Sequence, residues 1–177
     1  MKYSILSLLL LAVMYSCNQT AKPTESILVD TIAEKNQISM LLDSFNRAAA
    51  NANFKEYFEF YTYNAIFTGT DATERWDKKP FMIWAKPFFD KGKAWSFTVL
   101  KRHIYLDTTA RFAWFDELLN TQMKICRGSG VLLKQGNAWK VQQYILSTTI
   151  PNEIMDSIIK IKAPIEDVLI KQLLEKK

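Results

Sequence analysis

The chain has 177 residues, the length of one domain, and 49% of them are hydrophobic and 13% aromatic. That composition can fill a core and excludes an intrinsically disordered chain, which lacks apolar side chains to bury. Charges of both signs are interspersed around a net +5, with no run of five like charges, so a partnership with nucleic acid has no support.

The chain opens with a positive Met1-Lys2, an almost wholly apolar stretch from Ile5 to Val13, and a small residue, Ser16, before Cys17. Charge, apolar stretch and small residue in that order form a secretory signal, here too short to span a bilayer. Ser16-Cys17 closing such a signal resembles the lipobox of bacterial lipoproteins. The resemblance implies removal of residues 1–16, lipid on Cys17, and a membrane-anchored protein of the cell envelope facing the periplasm or the exterior. Residues 17–27 then read as a polar tether. With Cys17 acylated, Cys126 has no partner, so no disulfide framework is expected and Cys126 reads as a small buried hydrophobe.

The domain is expected over residues 28–150. Ile38, Leu41, Leu42, Phe45 and Ala48 recur at helical spacing, in a helix starting near Asp30 and ending near Asn51. Asn53 with Glu56 three residues on reads as the cap of a short second helix whose stripe is Phe54, Tyr57, Phe58 and Tyr61. A β-like run from Ala65 to Thr70 leads into a loop, Asp71 to Trp76. A third helix follows, with Asp77 as N-cap, Pro80 in its first turn, a kink at Pro87 and a stop at Gly92.

Next come strands. Trp95, Phe97 and Val99 hold one parity and Leu100, Ile104 and Leu106 the other, which predicts a bulge or strong curvature. Arg111–Thr121, Gln122–Lys134 and Ala138–Thr149 read as three more strands, the last two joined at Gly136-Asn137. Short links make the sheet antiparallel. Residues 151–177 return to helical spacing as an extension, broken by Pro164 into two helices and expected to pack on its own domain.

Helices first, then a curved meander, resembles the SnoaL-like branch of the nuclear transport factor 2-like (NTF2-like) superfamily. The residues that carry the resemblance are Ala65-Ile-Phe-Thr-Gly-Thr-Asp71, Glu74-Arg-Trp76, Ala85-Lys-Pro-Phe-Phe-Asp-Lys-Gly92, Ala113-Trp-Phe-Asp-Glu117, Cys126-Arg-Gly-Ser-Gly-Val131 and Trp139-Lys-Val141, followed by Ser147. It covers roughly residues 30–150. It implies an α+β cone: three helices on a strongly curved antiparallel sheet, around an apolar pocket. Relatives include isomerases, dehydratases, polyketide cyclases and pure binding proteins, so the fold does not choose the function. Relatives often dimerise through the open face of the sheet.

Asp116 shares a strand face with Phe112 and Trp114, and Glu117 points the other way. A carboxylate against aromatic walls is desolvated, which suits proton transfer; alternatively Asp116 is a structural ion-pair partner of Arg127 or Arg75. His103, the only histidine, is either a general base or a hydrogen-bonded structural residue. Arg127 can grip an anion with two hydrogen bonds or pair with Asp116 or Asp71. The glycines beside it, Gly128 and Gly130, point to close backbone approach or a bulge.

Tyr144, Trp114, Trp84 and Asp71 complete the candidate ligand contacts, with Glu74 and Arg75 in the same loop as Asp71. One histidine and one spare cysteine cannot build a zinc site of the usual kind, and the sequence calls for no cofactor. The leading expectation is an anchored module binding a small hydrophobic organic molecule. The alternatives are a cofactor-free isomerase, dehydratase or cyclase using Asp116 or His103, and a dimeric scaffold.

Overall fold

The structure is a computed structural model and describes residues 31–176; the expected signal, Cys17 and the tether lie outside the described residues. Helix α1 (Thr31–Ala50) buries Ile38, Leu42, Phe45 and Ala49 on one stripe. The turn after it is closed by Asn53, whose side chain accepts the Glu56 amide at 3.3 Å and starts α2 (Phe54–Glu59), as the spacing predicts. Strand β1 (Tyr61–Thr68) begins earlier than expected, because Tyr61 leaves the helix and pairs in the sheet. A short strand, β2 (Arg75–Asp77), occupies the end of the expected loop; three residues are too few to show a period. Helix α3 (Lys78–Asp90) runs through Pro87 and ends just before Gly92, whose φ of 77° suits glycine.

The rest of the sheet is β3 (Thr98–Leu106), β4 (Phe112–Thr121), β5 (Lys124–Gln135) and β6 (Ala138–Thr148). Six strands lie in the order β2-β1-β6-β5-β4-β3. The meander β3 to β6 is antiparallel, with the tight turn at Gly136-Asn137. The exception is β1, which runs parallel to β6. Short links fix the sense of sequence neighbours only, and α3 with four strands separates these two. The expected bulge is present: Val99 opposes Leu119 and Lys101 opposes Leu118, so Leu100 is the extra residue and the β3 side chains change face there.

The helices cover one face of the sheet, and the core between them is largely aromatic. Phe67 stacks on Phe81 at 4.0 Å between centroids, and Phe45 on Tyr57 at 4.5 Å. Each buried ring contributes roughly 1.5–3 kcal/mol by leaving water. Cys126 is a fully buried free thiol among them.

The C-terminal expectation needs correction. Residues Met155–Glu175 form one continuous helix, α4, with Pro164 inside it, and none of its residues is buried. A groove of about 640 Å³ separates it from the 70–73 loop. Its amphipathic pattern is real, but among the described residues nothing buries the apolar stripe. Among the described residues no helix is long and apolar enough to cross a membrane.

Candidate functional site

Strand parity decides which side chains can meet inside the cone. On β4, Ala113, Phe115, Glu117 and Leu119 point inward and are buried, while Phe112, Trp114 and Asp116 point outward. Asp116 does share a face with Phe112 and Trp114, but that face is the outer one. The strand carries aromatics on both sides, so aromatic neighbours could not tell inside from outside. The better signal was opposite β4: Gly128 faces Glu117 and Gly130 faces Phe115, so the inner face is where space is short.

Glu117 is the buried carboxylate of the cone. Its Oε2 accepts a hydrogen bond from Arg102 Nε at 2.8 Å and forms an ion pair with that guanidinium, and its Oε1 accepts the Tyr144 hydroxyl at 3.2 Å. Arg102 also donates through Nη1 to Asp43 at 2.8 Å and to the Ser39 carbonyl at 3.0 Å, which ties β3 to α1. Burial pushes the Glu117 carboxyl above its ordinary range, and the Arg102 charge opposes that rise. The Tyr144 phenol is pushed well up, first by burial and then by the Glu117 charge. Gly128 makes the arrangement possible, because a Cβ there would lie 2.5 Å from the Tyr144 oxygen.

In front of Tyr144 lies a hollow of about 140 Å³. Phe45, Tyr57, Phe67, Trp84 and Trp95 supply its walls, Leu146 and Met123 add apolar surface, and Glu74 is the one charged residue lining it. Gly69, Thr70 and Gln122 mark the end where the β1–β2 loop and the β4–β5 turn meet. Half-exposed Trp84 stacks on Trp76 at 4.8 Å. The Tyr57 phenol, 3.1 Å from that of Tyr61, is pushed far up by burial and stays protonated. The volume is close to the about 150 Å³ that holds one benzene ring in an apolar cavity. The hollow can therefore enclose a single ring or a compact alkyl group.

Tyr144 and Trp84 are the sequence candidates that reach this hollow. Asp116, His103, Trp114 and Arg127 stand together on the outer face. There the His103 Nδ1 lies 3.2 Å from each Asp116 oxygen, and the two line a recess of about 230 Å³ with Arg127 and Lys101. Arg127 makes no pair with Asp116 among the described contacts; the histidine does. Asp71 lines the groove under α4 rather than the hollow. It orders its own loop, accepting the Thr73 amide at 2.8 Å and hydroxyl at 2.6 Å, which holds its carboxyl below the usual range. Glu74, from the same loop, is the acid that reaches the hollow. Sequence reasoning did not single out Arg102, and it offered Asp116 rather than Glu117 as the candidate carboxylate.

A curved sheet closed over three helices around a small aromatic hollow is the NTF2-like architecture. The chain belongs to the SnoaL-like domain family, whose model matches residues 38–151, more than half of the chain. Among solved structures it is similar to an NTF2-like protein of unknown function from Pseudomonas putida, with TM-score 0.59 and 12% identity over 70% of this chain and 92% of that one. A domain with a cystatin-like fold from Nostoc punctiforme has TM-score 0.60 and 13% identity over 83% of this chain and 99% of that one. The association domain of C. elegans CaMKII has TM-score 0.54 and 15% identity over 66% of this chain and 97% of that one. At these identities the likeness is one of fold. No curated protein matches the chain.

Proposed function

We propose that this is an exported, lipid-anchored binding protein whose aromatic hollow encloses a small, mainly apolar organic molecule. The observation that carries the reading is the chemistry of the hollow. Its walls are mainly aromatic, and its two phenols are held protonated by burial. Glu117, the buried acid behind it, is fully engaged by Arg102 and Tyr144. Such a site grips by contact and offers little for moving protons. The volume supports a ligand of one ring's size rather than a steroid-sized one. Calorimetric titration with toluene, choline and 3,3-dimethylbutan-1-ol tests it: saturable one-to-one binding of at least one is expected, and no heat from any of them removes the reading.

The enzymatic alternative would place an isomerase, dehydratase or cyclase reaction at Asp116 and His103. That pair is partly exposed on the outer face and lines a separate recess of about 230 Å³, not the aromatic hollow. Export and lipid attachment rest on the order of residues 1–17. Labelling cells with an alkyne fatty acid checks them: the tag should appear on the protein and vanish in C17A.

One observation favours a dimer as well. Tyr105, Phe112, Trp114 and Ile125 are exposed on the outer face, and Tyr105 stacks on Trp114 at 5.6 Å. A second copy related by a two-fold axis would cover such a patch with its own. Sedimentation velocity should then show a dimer that W114E converts to a monomer.

A further inference from the structure

We infer that the hollow selects a small organic ammonium over neutral and anionic molecules of the same shape. This rests on the binding reading above and names the ligand class of that site. The sign of the site is the first observation. Glu74 is charged and acidic, and no lysine or arginine lines the hollow. The buried cation nearest in the network, Arg102, is consumed by Glu117 and Asp43. The walls are the second observation. Seven aromatic residues line the space, two of them the tryptophans Trp84 and Trp95. Ring faces carry negative electrostatic potential, and tryptophan attracts a cation most strongly. A quaternary or alkylated ammonium fits both features, since its methyl groups are apolar enough for an aromatic site while its charge is spread over them.

The third observation is that Glu74 is positioned rather than adrift. Its Oε2 accepts the Asp71 amide at 3.2 Å, and its carbonyl accepts the Gly69 amide at 2.9 Å. Gly69 makes room for this carboxylate, because a Cβ there would collide with it. Asp71, held ionised in the same loop, adds negative potential nearby. A carboxylate ligand would meet Glu74 with no compensating cation, and a neutral ring would gain nothing from it.

The test compares choline with its neutral isostere 3,3-dimethylbutan-1-ol, and includes toluene, by calorimetry on the full chain. Choline should bind about tenfold or more tightly than the alcohol. E74Q should bring the choline and alcohol affinities together, and G69A, which displaces the carboxylate without removing it, should lower the ratio of choline to alcohol affinity. Equal affinities in the wild type, or a preference that survives E74Q, overturn the inference and leave the hollow as a site for neutral molecules. Toluene binding without choline binding has the same meaning. If none of the three binds, the binding reading itself falls.

Discussion

Asp116 and Glu117 are adjacent carboxylates on one strand, and they live in different chemistry. Asp116 stands on the outer face beside His103, partly exposed. Glu117 is sealed inside, 2.8 Å from Arg102 and 3.2 Å from the Tyr144 hydroxyl. Residue type is nearly the same, so the difference comes from the pleat, which turns neighbouring side chains to opposite faces. In water an ion pair contributes little. Inside, the same charge is costly alone and must be matched.

That contrast is broken most severely by removing the inner counter-ion. Arg102→Ala leaves Glu117 buried and unpaired, and urea unfolding should show a loss of about 3–5 kcal/mol. The pH dependence has a definite sign. Burial raises the folded-state pKa of Glu117 above its unfolded value. Between those two values the folded state therefore binds more protons, and this group's contribution to stability declines as pH climbs from the unfolded value of 4.5 through the raised one. Without Arg102 the raised value moves further up, so the decline should be larger and extend to higher pH. Thermal melts from pH 4 upward measure it (a flat profile in the variant contradicts the account).

A smaller loss should follow from crowding the inner network. Gly128→Ala sets a methyl 2.5 Å from the Tyr144 oxygen, and overpacking of this kind costs roughly 1–3 kcal/mol. Trp84→Ala sharpens the comparison differently. Trp84 is 39% exposed, so stability should change little, whereas toluene affinity by calorimetry should drop about tenfold, roughly 1.4 kcal/mol. The smallest effect belongs to the outer carboxylate: Asp116→Asn should alter stability by no more than about 0.5 kcal/mol and leave ligand affinity unchanged.

The elements were largely legible because they rest on local chemistry. Asn53 caps a helix, Gly136-Asn137 turns a hairpin, and the change of parity at Leu100 marks a bulge; each is a short-range signal. The site was less legible. Parity grouped Asp116 with Trp114 and Phe112 correctly but carried no label for inside, and Arg102 reaches its partners only through tertiary contacts with α1. Tyr144 and Trp84 are the candidates that line the hollow, though neither strand nor helix periodicity alone separates them from core aromatics such as Trp139 and Phe81. The parallel pairing of β1 with β6 joins distant segments, and among the described residues nothing buries the amphipathic stripe of α4; neither follows from a local rule.

Fluorine NMR of the chain carrying 5-fluorotryptophan puts the central claim to its most direct test, because three of the five tryptophans mark the two regions. Trp84 and Trp95 line the hollow, and Trp114 stands on the outer face. Titration with toluene should shift the Trp84 and Trp95 resonances to saturation and leave that of Trp114 in place. Movement of Trp114 alone, or of no resonance, would contradict a ligand site within the cone.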